Sequence, residues 1–215
     1  MIEAQAILAA TEALRALPDG VRETPLERSH AIGAKTSSEV YLKCEHLQIT
    51  GSFKLRGATH KLLGLTDAQK SRGIITASSG NHGLAVSHSA GILGLEATVY
   101  VPETVSPMKA AGIEARGAKV VKVPGEPLEA ELEARRVAEA TGKEFVSPYN
   151  DEQVITGQGT IGVELLNQLP ELDAVFVSVG GGEDYGRCGT GNPVGRYRGG
   201  CRARGGHYSY LPAGH

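Results

Sequence analysis

The sequence predicts an α/β protein: an open parallel sheet with helices on both faces. Three observations carry this. Short, β-branched apolar segments recur along the chain. They alternate with segments of ten or more residues whose apolar positions follow a helical period. The short segments are apolar on both faces, as strands of a doubly covered parallel sheet are.

The elements follow in order. Residues 4–17 place Ile7, Leu8, Leu14 and Leu17 at helical spacing, and Pro18-Asp19-Gly20 ends the run. Residues 40–42 read as a short strand and 53–65 as a helix. Alternation then sets in, with strands at 73–77, 97–101, 119–123, 145–146 and 174–179. The intervening helices are expected at 83–93, 108–116, 128–140 and 161–169. Parallel sheets bind ligands in the loops at the carboxyl ends of their strands. Polar motifs just after strands are therefore candidate site residues.

Bulk properties exclude several classes. The 215 residues suit one domain or two small ones, and 40% hydrophobic content is enough for a core. A net charge of −2 gives no global field for nucleic acid or a membrane surface. No apolar run is long enough to span a bilayer. The start, Met1-Ile2-Glu3-Ala4, lacks the basic opening of a secretory signal. Cys44, Cys188 and Cys201 form no paired framework, so a cytoplasmic location is expected.

Four motifs carry chemistry. The first is Thr50-Gly51-Ser52-Phe53-Lys54-Leu55-Arg56-Gly57-Ala58. An isolated lysine is by default a solvated surface residue. Lys54 instead falls in the first turn of an expected helix, where positive charge is disfavoured. A partner such as an anion or an aldehyde accounts for it better, because a desolvated lysine becomes a nucleophile. The second motif, Ala77-Ser78-Ser79-Gly80-Asn81-His82-Gly83, leads from a strand into a helix. A helix cap explains one polar residue there. Six polar or glycine positions in a row suit exposed backbone N–H groups that receive a carboxylate or phosphate. The third, Ser178-Val179-Gly180-Gly181-Gly182, ends a strand in glycines that let backbone wrap an anion. The fourth, Ser147-Pro148-Tyr149-Asn150-Asp151 followed by Gly157-Gln158-Gly159-Thr160, predicts a loop and a helix entry.

Taken together over residues 22–182, the chain resembles the fold-type II pyridoxal-phosphate enzymes of the threonine/serine dehydratase and serine racemase group. The likeness includes Thr24-Pro25-Leu26 and Lys43-Cys44-Glu45-His46-Leu47-Gln48 as well as the four motifs. It implies a two-domain arrangement like the tryptophan synthase β chain. Residues 1–68 and 149–182 would form the large cofactor domain, and 69–148 a small domain closing over the substrate. It implies that Lys54 holds pyridoxal 5'-phosphate as a Schiff base and then moves the Cα proton. Phe53 would pack beside the cofactor ring and Asn81 would bond its ring oxygen. Gly180, Gly181 and Gly182 would cradle the phosphate. Ser78, Ser79, Asn81 and His82 would surround the substrate carboxylate, with Ser79 the hydroxyl on the opposite face. A histidine at a helix start can equally serve as a cap. The implied reaction converts L-threonine or L-serine to a 2-oxo acid and ammonia, with racemisation or a non-catalytic remnant as alternatives. A small amino acid is the implied partner, within a homodimer or homotetramer.

The chain departs from the resemblance after Gly182. Glu183-Asp184 stands where another glycine and an apolar helix are expected, and carboxylates repel a phosphate dianion. Residues 183–215 hold nine of the 29 glycines and carry five arginines against those two acids. They show neither helical nor strand period, so disorder is expected, and the fold should be incomplete at its C-terminus. Two Arg-Gly-Gly copies beside tyrosines resemble RNA-binding segments, but the small net charge speaks against a nucleic-acid partner. A frameshift explains the tail better. A one-base slip in the reverse translation of residues 183–192 permits Thr-Met-Ala-Gly-Val-Ala-Leu-Gly-Ile, an apolar helix. The same slip over residues 197–205 permits Ile-Val-Val-Ala-Val-Glu-Pro-Glu, a strand ending in an acid. That acid is a metal ligand in some members of the group, and no metal site is assigned here.

Overall fold

The computed structural model describes residues 2–178 and, for backbone alone, residues 200–204 and 207–211. Gly180, Gly181, Gly182 and most of the 183–215 tail lie outside the described residues.

Helix α1 (Ala4–Ala16) buries Ala10, Thr11 and Leu14. Strand β1 (Leu26–Arg28) follows, then helix α2 (His30–Thr36), whose N-cap Ser29 accepts from the Ile32 N–H. Strand β2 (Tyr41–Lys43) pairs antiparallel with β1, Glu27 opposite Leu42. A 3-10 turn (Glu45–Leu47) leads to helix α3 (Lys54–Leu63). Helix α4 (Asp67–Arg72) opens with a capping box between Thr66 and Gln69. Then come β3 (Ile74–Ala77), α5 (Asn81–Ile92), β4 (Ala97–Pro102), α6 (Pro107–Glu114) and β5 (Lys119–Val123). Helix α7 (Pro127–Thr141), β6 (Glu144–Phe145), α8 (Glu152–Gln168) and β7 (Val175–Phe176) complete the main part. Strands β8 (Gly200–Arg204) and β9 (His207–Leu211) lie in the tail.

The parallel sheet has the order β5-β4-β3-β6. Ile74 stands opposite Ala97 on one side and Glu144 on the other. Both faces are covered. Ile74, Val99 and Val101 point into a core with Leu55, Ala58 and Leu62 of α3 and Val86 and Ala90 of α5. Ile75, Ala77 and Tyr100 point the opposite way, against Ala130, Ala134 and Ala138 of α7. Each fully buried leucine or valine contributes on the order of 1.5–3 kcal/mol of hydrophobic stabilisation. The alanine stripe on α7 lets that helix lie close to the sheet.

Helices α1, α3 and α8 pack together beside this layer. Glycines set the α3–α8 contact. A Cβ on Gly57 would fall 2.6 Å from the Val154 carbonyl oxygen, and one on Gly157 2.7 Å from that of Arg56. Gly159 makes room for Ile7 of α1, whose Cδ1 would stand 2.9 Å from a Cβ there.

Several expectations are corrected. The strand at 40–42 belongs to the antiparallel β1–β2 pair, and β7 pairs antiparallel with β8, so neither extends the parallel sheet. Helix α8 starts at Glu152, nine residues before the expected 161, because Asp151 caps it by accepting from the N–H groups of Gln153 and Val154. Gly157 and Gly159 are contact glycines rather than loop residues. The tail holds two strands where no regular structure was expected. Tyr208 and Tyr210 favour strands.

Candidate active site

Lys54 is the first residue of α3. Phe53 precedes it as N-cap without a side-chain hydrogen bond, and no acid stands in the first turn. Gly51, at φ +78°, supplies the left-handed turn that leads in. The lysine is half-buried. Its Nζ donates to the Pro148 carbonyl at 3.0 Å and lies 5.2 Å from the centre of the Phe53 ring.

The second motif sits at the carboxyl end of β3, as expected. The Ser78 N–H reaches the Tyr100 carbonyl of the neighbouring strand at 3.2 Å. Gly80 is the N-cap of α5 and has no side chain to offer. The Ser78 hydroxyl accepts from the Gly80 N–H at 3.2 Å. A Cβ on Gly83 would lie 2.2 Å from the Ser78 carbonyl oxygen, so only glycine lets the loop fold back on the helix. The first turn of α5 therefore carries backbone donors that no capping side chain satisfies, which is the arrangement that receives an anion. Ser78 and Ser79 are half-buried and Asn81 is exposed.

His82 is buried, and its Nε2 lies 3.2 Å from the Val146 carbonyl. A carbonyl only accepts, so Nε2 carries the proton and Nδ1 is a bare acceptor. Burial lowers the His82 pKa from 6.5 to about 4. The Val146 bond opposes that shift, and the charge of Lys54 adds to it. The ring is committed to the strand end and stays neutral at pH 7. What His82 can offer a carboxylate is its backbone N–H.

The fourth motif joins the other two. Strand β6 pairs with β3, which brings the loop after β6 beside the loop after β3. The Val146 N–H donates to the Ile75 carbonyl at 2.8 Å, and the Val146 carbonyl accepts from Thr76 Oγ1 and from His82. Two residues on, the Pro148 carbonyl holds Lys54. The Ser147 hydroxyl stiffens the turn between them by accepting from the N–H groups of Tyr149 and Asn150.

Buried polar atoms are normally paired. Among the described residues, four buried side-chain atoms lack a hydrogen-bond partner: Thr50 Oγ1, Ser52 Oγ, His82 Nδ1 and Gln158 Nε2. All four fall in the motifs singled out from sequence. Gln158 Nε2 lies against Gly57 in the α3–α8 contact, while Thr50, Ser52 and His82 belong to the segments that carry Lys54 and the uncapped start of α5, where unsatisfied polar atoms fit a polar, anionic cofactor that brings its own hydrogen-bonding groups. The proposed phosphate cradle, Gly180 to Gly182, lies outside the described residues. No group of three or more histidine, cysteine or acidic side chains that could hold a metal occurs among the described residues. A surface cleft at Arg28, Ser29, His30 and Glu39 shares no residue with the motifs. No helix among the described residues is long and apolar enough to cross a membrane.

One feature escaped the sequence reading of roles. Arg56, 1% exposed, bonds Glu45 through Nε at 2.9 Å and Nη2 at 2.7 Å. It bonds Glu164 of α8 through Nη1 at 2.7 Å and Nη2 at 2.8 Å. Lys43 meets the same Glu164 at 2.6 Å, and Thr24 bonds both acids. Burial works against the charges of Arg56 and Glu164. Bonds to Glu45 and Glu164 prevail for the arginine and raise its pKa, and bonds from Arg56 and Lys43 prevail for Glu164 and lower that of the carboxylate. Both shifts favour the ionised pair.

Comparison with known proteins accords with this geometry. Residues 17–192 match the family model described as pyridoxal-phosphate dependent enzyme. The L-threonine ammonia-lyase of Thermotoga maritima is 43% identical over 171 residues, 80% of this chain and 43% of that protein. The processed threonine deaminase isoform 2 of Solanum lycopersicum superposes with a TM-score of 0.78 at 34% identity, over 85% of this chain and 54% of that one. Maize serine racemase superposes with a TM-score of 0.74 at 33% identity, over 80% and 51%. The chain spans about half the length of the curated relatives it matches. A family match across most of the chain, on a fold that brings Lys54 and the Ser78–Gly83 loop to one segment, places this protein in the pyridoxal-phosphate dependent enzyme family.

Proposed function

We propose that this chain carries the lysine and substrate-carboxylate half of a dehydratase site that turns a β-hydroxy amino acid, L-threonine or L-serine, into a 2-oxo acid and ammonia. One observation carries the reading. Lys54 and His82, from separate motifs, both bond the carbonyls of the single segment 146–148.

Pyridoxal phosphate, when bound, supplies a conjugated ring that takes up the electron pair left at Cα. Lys54 would hold it through its amine. Phe53 would flank its ring, Asn81 would bond its ring oxygen, and Gly180, Gly181 and Gly182 would receive its phosphate. The first-turn N–H groups of α5, with Ser78, Ser79 and Asn81, hold the substrate carboxylate. The Lys54 amine would also move the Cα proton. The proton that Lys54 would then carry is the one the β-hydroxyl would need to leave as water. The enamine product hydrolyses to the 2-oxo acid and ammonia. In this reading residues 69–148 act as the unit that closes over the substrate, and the protein self-associates as a homodimer or homotetramer.

The likeness to maize serine racemase and the place of Ser79 beside the α5 start favour a second reading, racemisation, in which Ser79 returns a proton on the opposite face. Incubation of the cofactor-supplemented protein with L-serine separates them. Pyruvate supports the dehydratase, D-serine supports the racemase, and neither product removes both.

A further inference from the structure

Lys54 and Arg56 open α3 two residues apart, with no acid in that turn to offset their charge. Lys54 faces the Pro148 carbonyl. Arg56 is buried and gripped by carboxylates from two other elements: Glu45 of the 3-10 turn and Glu164 of α8. Glu164 is in turn held by Lys43 of β2. The four groups sum to zero charge, so the cluster can stay buried ionised. Its two acids lie near the positive end of the α3 dipole and take the place of the missing first-turn acid. Close backbone approach at Gly57 and Gly157 fixes how far α3 stands from α8. The Gly57 N–H also donates to Gln158 Oε1 of α8, and the planar fork of Arg56, bonding in two directions within the first turn, adds resistance to its sliding and rotation.

We infer that Arg56 is a positioning residue for Lys54: its bonds to Glu45 and Glu164 fix the first turn of α3 so that the lysine amine meets the Pro148 carbonyl. The functional weight of this rests on the reading of Lys54 given above, but its test needs no cofactor. Arg56→Lys keeps the charge and loses the fork. Glu45→Gln, at the more exposed edge of the cluster, removes one charge and keeps an oxygen for Arg56.

The full-length protein and both variants are trace-labelled with acetic anhydride at one pH, without pyridoxal phosphate, and each lysine is quantified by mass spectrometry. Lys109 on the surface is the reference. Lys61 is the control, because it lies at the other end of α3 and is held by Glu144 and Asp151. In Arg56→Lys the Lys54 labelling relative to Lys109 is expected to rise at least threefold while Lys61 stays unchanged. Glu45→Gln should give a smaller rise of the same kind. Far-UV circular dichroism establishes that each protein is folded, and Glu45→Gln decides the matter should Arg56→Lys not fold. Unchanged Lys54 labelling in the folded variants, or Lys54 and Lys61 rising together, overturns the inference: the cluster then only stabilises. Lack of cofactor binding by the wild type would defeat the dehydratase reading and leave this result standing.

Discussion

The Nζ of Lys54 donates to the carbonyl of Pro148 across 3.0 Å, joining residues 94 positions apart. The bond ties the start of α3 to the loop after β6, and that loop also holds His82 of α5. Replacing Lys54 with alanine removes the bond and little packing, since the side chain is only half-buried. The cost in stability is expected to be about 1 kcal/mol, measured by urea unfolding. The visible absorbance that pyridoxal phosphate gains on reacting with the protein should be lost in the same variant.

Gly57 lies within α3 and Gly64 is its C-cap; a methyl group would crowd both, yet they should respond differently. A Cβ on Gly57 meets the Val154 backbone oxygen at 2.6 Å, which cannot move without shifting α8. On Gly64 it meets the Oε1 of Gln153 at 2.6 Å, the end of a side chain that can swing away. Gly57→Ala is expected to destabilise by about 1–3 kcal/mol, and Gly64→Ala to be close to neutral. Equal urea midpoints for the two variants would contradict the close α3–α8 approach.

His82 gives the fold a defined acid sensitivity. Its pKa falls from 6.5 to about 4 on folding, chiefly through burial. The unfolded chain therefore binds the proton more readily, and stability declines as pH drops from about 6.5 toward 4. The decline from this group approaches 1.4 kcal/mol per pH unit. Glu164, whose pKa is lowered from 4.5, acts below that window. Unfolding free energies at pH 7 and pH 5 should differ in the wild type, and the difference should shrink in His82→Gln. A glutamine amide can still donate to Val146 but does not titrate.

Glu164 lies between Arg56 and Lys43, and its loss would leave two buried cations facing each other. Glu164→Ala is expected to cost about 3–5 kcal/mol. The exposed pair of Arg136 and Glu133, at a comparable 2.7 Å, should show no resolved change in Glu133→Ala. Thermal unfolding of both variants measures the contrast. Equal shifts would mean that burial of the Arg56 cluster contributes nothing.

The parallel core was legible because apolar period and turn residues are local. Strands β3, β4 and β5 and helices α5, α6 and α7 stand within a few residues of their expected positions. Helix α4 was missed although its signal is local, a threonine three residues before glutamine. The early start of α8 was obscured because Gly157 and Gly159 read as loop residues, while Asp151 as N-cap pointed the other way. The pairing of β2 with β1, rather than with the parallel sheet, depends on contacts that no segment carries alone. The same holds for the Arg56 cluster: Lys43 and Glu164 are 121 residues apart, and sequence gives charges without partners. The place of Lys54 in a first helical turn was legible from its motif, and a cation there is locally unfavourable.

Lys54 is the residue proposed to hold the cofactor. The direct measurement is to incubate the full chain with pyridoxal phosphate, reduce with borohydride, digest and map the modified peptide. A single dominant adduct on Lys54, absent in Lys54→Ala, is the predicted result. An adduct spread over surface lysines such as Lys109 and Lys119, or no adduct at Lys54 in the folded protein, would contradict it.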